Sequence, residues 1–307
     1  MVNILELKTS QAGAIKIVVD TINSLLSDAN FDFYPYYINE DDIKKIKNNE
    51  EEDYETDSEN ESEQEPEQNN TNEPKKKIMG GMVLKEVNKT GKILVYMRLD
   101  ADKFDVYKYN YHKKKLSLGI DINNLLKCLK CMSHFDTMTW LVDDEDINKL
   151  VIILESVERK EKKIFKLNLM DIEEATYDIE PIQFPYSISL PAVDFHKYCK
   201  DMASSTDKIE IKATSNKLYF SGKGEIGHVE FEVGETNGGL SITSTTSNTN
   251  EIVQGLFELK FLLIFTKCTN LCNQVTLFLK NDYPIIVSYQ VMALGEIKLV
   301  LSPTKSE

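Results

Sequence analysis

Four stretches of the chain set apolar residues at helical spacing on one side and lysines on the other. In residues 14–26, Ile15, Val18, Val19, Ile22 and Leu26 share a stripe, with Lys16 and Asn23 away from it. In 121–132, Ile122, Leu125, Leu129 and Met132 align while Lys127 and Lys130 project from the far side. In 191–202, Phe195, Cys199 and Met202 point in, and Lys197 and Lys200 point out. In 260–272, Lys260 and Lys267 lie seven residues apart, which predicts a shared helix face. Between these helices the pattern shortens to the alternation of half-buried strands. Strands are predicted over 92–99, 104–111, 137–142, 149–155 and 163–169. A second series is predicted over 186–190, 208–213, 217–221, 228–233, 239–244, 274–279, 284–290 and 297–301.

The order of strand, helix, several strands, helix and more strands runs once before residue 166 and again after 185. That is an internal duplication of pattern, with few identities between the halves. It divides the chain into 1–166, a connector over 167–185, and 186–307. One segment breaks the pattern. Residues 40–77 hold 15 acids and 6 lysines, −9 of the chain's net −14, with two isoleucines and Tyr54 as their only large apolar groups. Such a segment has too little to bury and is expected to be a disordered loop between two strands.

Composition narrows the function classes. The chain has 307 residues, room for two domains, and no run of about 18 apolar residues that would predict a membrane span. Its first residues lack the basic-then-apolar order of a secretion signal. Five widely spread cysteines suit a reducing compartment and free thiols. Cys128 and Cys131 form a C-x-x-C, but no second pair stands at finger spacing, so no four-ligand zinc site assembles locally. Histidines 112, 134, 196 and 228 are not at metal-ligand spacing, and Asp143-Asp144-Glu145-Asp146 reads as a tight turn. No nucleophile elbow, phosphate loop or dinucleotide fingerprint is present. The expectation is a binding protein with no catalytic residues, no metal and no cofactor. Lysines opposite an apolar stripe occur on any solvated amphipathic helix. Four such faces in so acidic a chain also fit a surface reserved for a polyanion.

Longer motifs carry a family resemblance. LKCLKC (126–131), LVIILE (150–155), FKLNLMDIE (165–173), SLPAVDFHKYCKDMASSTDKIEI (189–211) and KLYFSGKGEIG (217–227) come in that order. KFLLIFTKCTNLCNQVTLFLKNDYPIIVSY (260–289) and LVLSPTK (299–305) follow. With them the chain resembles proliferating cell nuclear antigen, the eukaryotic-type DNA sliding clamp, over nearly its whole length outside 40–77. The resemblance implies an α+β DNA-clamp fold of two topologically equal domains, each with two helices on antiparallel sheets. Three copies would close into a ring around duplex DNA.

By that resemblance Lys16, Lys127, Lys130, Lys197, Lys200, Lys260 and Lys267 would line the hole and hold DNA without reading sequence. Val87, Leu94, Tyr177, Ile179, Phe184, Pro284, Ser302 and Pro303 would take partner peptides with one apolar and two aromatic anchors. Those peptides belong to a DNA polymerase, a clamp loader and other replication or repair proteins. The segments 160–167 and 228–233 would join subunits as a homotrimer, with Lys163, Phe165, Val229 and Phe231 in the interface. No membrane partner and no enzymatic activity are implied. A subunit of a heterotrimer, a monomeric processivity factor and a protein-recruiting scaffold are the alternatives. Location would be nuclear, or a cytoplasmic viral factory, since the Asn- and Lys-rich composition fits the AT-rich genome of a large DNA virus or a protist.

The chain also departs from the family pattern. The insert 40–77 is foreign to it, and the connector carries Tyr177-Asp178-Ile179-Glu180 in place of the usual apolar-Gly-Ile-Pro. Ile17 and Asn23 stand where basic residues are common, and Ser215 stands at the position of the modified lysine.

Overall fold

The computed structural model describes residues 3–36, 80–133, 136–174, 182–225, 227–245 and 251–304. The 40–77 insert, Tyr177 and Ile179 lie outside the described residues. The first half runs β1 (Asn3–Thr9), α1 (Ala12–Asn23), β2 (Asp28–Tyr34), β3 (Gly81–Val87), β4 (Ile93–Asp100), β5 (Val106–Tyr109) and β6 (Leu116–Asp121). It ends with α2 (Ile122–Lys130), β7 (Thr137–Asp143), β8 (Asp146–Ser156) and β9 (Glu161–Asn168). The second half begins β10 (Tyr186–Pro191), α3 (Ala192–Ala203), β11 (Lys208–Ala213), β12 (Lys217–Gly224), β13 (Gly227–Gly234), β14 (Ser241–Ser244) and β15 (Val253–Glu258). Then come α4 (Leu259–Phe265), a 3-10 stretch Thr266–Leu271, β16 (Gln274–Leu279), β17 (Ile285–Val291) and β18 (Gly295–Leu301). Each half therefore repeats one order of nine strands and two helices.

All strand pairings in the described residues are antiparallel, and the repeat extends to them. The first half pairs β5-β1-β7-β8-β9 and β4-β3-β2-β6; the second pairs β14-β10-β16-β17-β18 and β13-β12-β11-β15. One added ladder, β18 on β4 from Gly295↔Leu99 to Leu301↔Ile93, fuses two of these into a nine-stranded sheet. The predicted helical stripes are the buried ones: Ile15, Val18, Val19, Ile22, Leu125, Leu129, Phe195, Cys199 and Met202 are at most 2% exposed. They join a single core that spans both halves. Inside it Trp140 of one sheet meets Phe31 of the other edge-on, with centroids 6.0 Å apart.

Five strands have no range in the sequence pattern, β1, β2, β3, β6 and β15, although β2 and β3 are the two strands expected on either side of the insert. The long 104–111 strand is in fact the short β5, preceded by a 3-10 turn at Ala101–Lys103. The fourth helix also differs from expectation. Its α portion stops at Phe265 and the chain continues as 3-10, turning about 120° per residue rather than 100°.

The connector leaves β9 along the outer edge of β6. Met170 donates its amide to the Gly119 carbonyl at 2.8 Å, Asn30 Nδ2 reaches the Ile172 carbonyl at 3.2 Å, and Lys115 pairs with Glu174 at 2.6 Å. Gly119 permits this approach, because a Cβ there would stand 2.2 Å from the Met170 carbonyl oxygen. Gly119→Ala is expected to lower stability by about 1–3 kcal/mol in urea denaturation and to open residues 170–174 to limited proteolysis. Unchanged stability and proteolysis would contradict this account of the connector.

Candidate functional site

The helices form one continuous layer. In the first half α1 packs on α2, and in the second α3 packs on α4 and the 3-10 turn. Across the junction α1 meets that turn. Lys267 Nζ donates to Ser24 Oγ at 2.8 Å and pairs with Asp20 at 3.2 Å, and Cys268 Sγ contacts Thr21 Oγ1 at 3.5 Å. Within the helices and the 3-10 turn are seven lysines and three aspartates, Asp20, Asp194 and Asp201. The layer is therefore net positive in a chain of net charge −14.

Its lysines are not equivalent. Lys127, Lys130, Lys197 and Lys200 are exposed, and Lys16 is half-buried. Lys16, Lys130, Lys197 and Lys200 form no ion pair with a described residue. Lys127 donates to Asn124 Oδ1 at 3.1 Å. The Asp121 carboxylate caps α2 through the Asn124 amide at 2.7 Å, and Lys127 and Lys130 complement the helix dipole in its last turn. Lys260 belongs elsewhere, since it pairs with Glu258 at 2.7 Å at the domain junction.

On the face of the nine-stranded sheet turned from the core, the registers align a second feature. Val87 stands opposite Leu94, Leu94 opposite Val300, Val300 opposite Ile286, and Ile286 opposite Phe278. All five are half-buried, whereas their strand neighbours Ile93, Val95, Leu299, Leu301, Val287 and Leu277 are buried. The result is an apolar row across five strands and both halves. Phe184 closes one end with its ring 5.9 Å from that of Phe278. Pro284 precedes β17, while Ser302 and Pro303 follow β18.

A third feature is a pair of sheet edges. β9 ends the five-stranded sheet of the first half and β13 ends the four-stranded sheet of the second. Phe165, Val229 and Phe231 are half-buried against the core on these edges, and Ile164 is 55% exposed. Lys163 Nζ donates to the Cys131 carbonyl at 2.9 Å, tying β9 to the end of α2.

Comparison with known proteins fits this arrangement. Residues 76–177 match the model of the proliferating cell nuclear antigen N-terminal domain, and 178–304 match that of its C-terminal domain. The chain belongs to the proliferating cell nuclear antigen family. It is also 28% identical, over 302 residues and 98% of its length, to a protein of Acanthamoeba polyphaga mimivirus described as a probable DNA polymerase sliding clamp. The chain spans 62% of that relative's length.

In this clamp-family chain, sequence reasoning named the two ends of the apolar row but missed Val300, Ile286 and Phe278 at its centre. The outward positions of these strands are otherwise polar, as at Gln274, Thr276, Gln290, Glu296 and Lys298, and only the strand pairing shows that their single apolar members fall in line. Among the described residues no three histidine, cysteine or acidic side chains converge as metal ligands. Cys199 and Cys268 are buried, Cys128 and Cys272 half-buried and Cys131 exposed. Burial pushes the Cys268 thiol up to about 12, which suits packing rather than reactivity.

The junction also contains a shared carboxylate. Glu258, 16% exposed at its side chain, receives both Lys260 and Lys92, the latter from the first half. The Lys260 and Lys92 hydrogen bonds hold its carboxyl below the ordinary value of 4.5. A depressed carboxylate contributes stability above its unfolded value and loses it as pH falls through the folded one. Glu258→Gln is expected to cost about 1 kcal/mol at pH 7 in thermal melts, with the two proteins converging in acid below the ordinary carboxylate range. A deficit that persists there would show that the carboxylate charge is not the cause.

Proposed function

We propose that the chain is a DNA sliding clamp, a processivity factor that encircles duplex DNA as a homotrimer and tethers a polymerase and other partners. The observation that carries this reading is the repetition of the β18–β4 junction at the chain's two outer edges. Phe31 and Ile211 each stand nineteen residues after the start of their preceding helix, and Trp140 and Leu277 each stand eighteen after theirs. Following the registers outward makes β9 the counterpart of β18 and β13 the counterpart of β4, with Phe165 matching Leu299 and Val229 matching Val95. Leu299 faces Val95 within the chain, so Phe165 would face Val229 of the next copy.

The same register sets Lys163 opposite Phe231 and Lys162 opposite Glu232. The pairing joins a lysine-bearing edge to a glutamate-bearing one, whereas like edges would oppose like charges. That complementarity favours assemblies of identical copies over a heterotrimer, and head-to-tail contacts of this kind form a ring when the rotation between copies closes. Exposed strands as long as β9 and β13 are otherwise a hazard for aggregation.

Closure would carry the basic helix layer around a hole. Lysine gives phosphates charge contacts without fixed geometry, so each step along the backbone exchanges equivalent counterions. Sequence-reading hydrogen bonds, which would trap the ring, are not required. The acidic remainder of the chain disfavours DNA elsewhere. The apolar row, closed at one end by Phe184, would dock the extended peptides of a polymerase, a loader and other replication or repair proteins. The location we propose is the nucleus, or a cytoplasmic factory for a viral chain.

Two outcomes are expected. Lys127→Glu with Lys200→Glu should abolish stimulation of a DNA polymerase while light scattering still gives three subunits; unaltered processivity would sink the DNA-wall assignment. Lys162→Glu should reduce the trimer to smaller species, and adding Glu232→Lys should restore it. A trimer indifferent to Lys162→Glu would exclude the register derived from the junction.

A further inference from the structure

The row of apolar side chains does not end the groove at Leu94 and Val300. Two residues along each strand the ladder brings Lys92 against Ser302, whose amide donates to the Lys92 carbonyl at 3.0 Å. Beside this pair a cavity of about 440 Å³ opens, lined by Lys92, Asp207, Lys208, Glu258, Lys260 and Thr304. Its walls come from both halves of the chain. Thr304 is held there by its amide, which donates to the Leu256 carbonyl at 2.7 Å.

The charges in the cavity are unequal. Three ammonium groups surround two carboxylates. Glu258 is already engaged through Oε1 by Lys92 and through Oε2 by Lys260. The lysine side chains remain open to an incoming ligand, 51% exposed at Lys92 and 68% at Lys260, and each ammonium has three donors to place. An arriving lysine would meet three like charges, with Asp207 the one carboxylate of the cavity not already shared by two lysines. An arriving carboxylate could accept from Lys92 or Lys260 without breaking the existing pair.

We propose that this cavity is the charged end of the docking groove and takes an aspartate or glutamate side chain flanking the partner peptide's apolar anchors. The inference rests on the reading of the apolar row as a docking surface. The row crosses the strands, and the cavity lies along them from Leu94 and Val300. Successive same-side positions on an extended chain are about 7 Å apart, so a peptide seated on the row and turning along β4 at Leu94 reaches the cavity within one or two such positions. The chain would thereby select, among peptides with similar anchors, those that carry an acid at this flank.

The test uses fluorescence anisotropy with the full chain and synthetic peptides bearing one leucine and two phenylalanine anchors. A single Glu, or a single Lys at the same place, is scanned along the flanks. At one flank position the Glu peptide is expected to bind about tenfold more tightly than its Lys twin at low salt. That preference should shrink to about twofold or less in 1 M salt and in Lys92→Ala, while Leu94→Asp should abolish binding of both peptides. Equal affinities for Glu and Lys at every position, with Leu94→Asp still disruptive, would overturn the charged-end inference and leave the groove standing. Binding that survives Leu94→Asp, or no binding of any peptide, would overturn the groove reading and this inference with it. The salt comparison on the unaltered chain keeps the result independent of how well Lys92→Ala folds.

Discussion

The seven residue pairs between β18 and β4 are the constraint on which the other features depend. Without that ladder each half would be a separate pair of sheets with its own two helices. With it, the two outer sheets become one surface and the helices become one layer. The contact of Lys267 with Asp20 and Ser24 follows, since it joins residues nearly 250 positions apart that meet only at the junction. So does the apolar row, whose central step from Leu94 to Val300 is itself a rung of the ladder. The edges left over, β9 and β13, are free because the fold is duplicated and a linear chain can join its halves only once.

Electrostatics then sorts the surfaces. A basic layer on helices and a net acidic remainder put opposite charge on different elements, and the core between them needs only apolar packing. The lysines of α2 and α3 are exposed and keep their charge hydrated and mobile, which suits weak, non-directional contact. Lys260 shows the limit of reading this from a helical wheel. It is one residue from the start of α4, within reach of Glu258 ahead of the helix, and local pairing takes it into the junction.

Much of the fold was legible because its long strands and helices have strong periodicity. The stripes of α1, α2 and α3 were visible in the sequence, and 208–213 and 274–279 match β11 and β16 end to end. The strands that escaped have specific reasons. β6 contains Gly119 and β15 contains Gly255, residues that read as breaks but sit where another backbone or the Phe257 ring comes close. β2 opens on Asp28-Ala29-Asn30, a turn-like composition, and is held as a strand by pairing with both β3 and β6. The 3-10 ending of the fourth helix was invisible for the same reason: packing of Cys268 and Leu271 in the shared core, rather than local propensity, decides it. The site was legible where lysines are numerous and hidden where single apolar residues from separate strands are brought into line only by their pairing.

The neck of the acidic insert explains how such a departure leaves the fold intact. The insert lies in the chain between β2 and β3, which pair up to Tyr34↔Gly81, so the described chain on either side of it is held one strand spacing apart at that point. The Tyr107 hydroxyl sits between the carbonyls of Tyr34, at 2.8 Å, and Gly81, at 3.0 Å, and fastens both strands at that point. Gly81 takes φ of +144°, and a Cβ on Gly80 would stand 2.0 Å from the Pro35 carbonyl oxygen, so the two glycines are required by the closeness of the crossing. Closing a longer loop across a neck already fixed costs little more than closing a short one, about 0.6 kcal/mol for each doubling of length. A hairpin end clamped this way can lengthen without disturbing the β18–β4 ladder, the helix layer or the two outer edges.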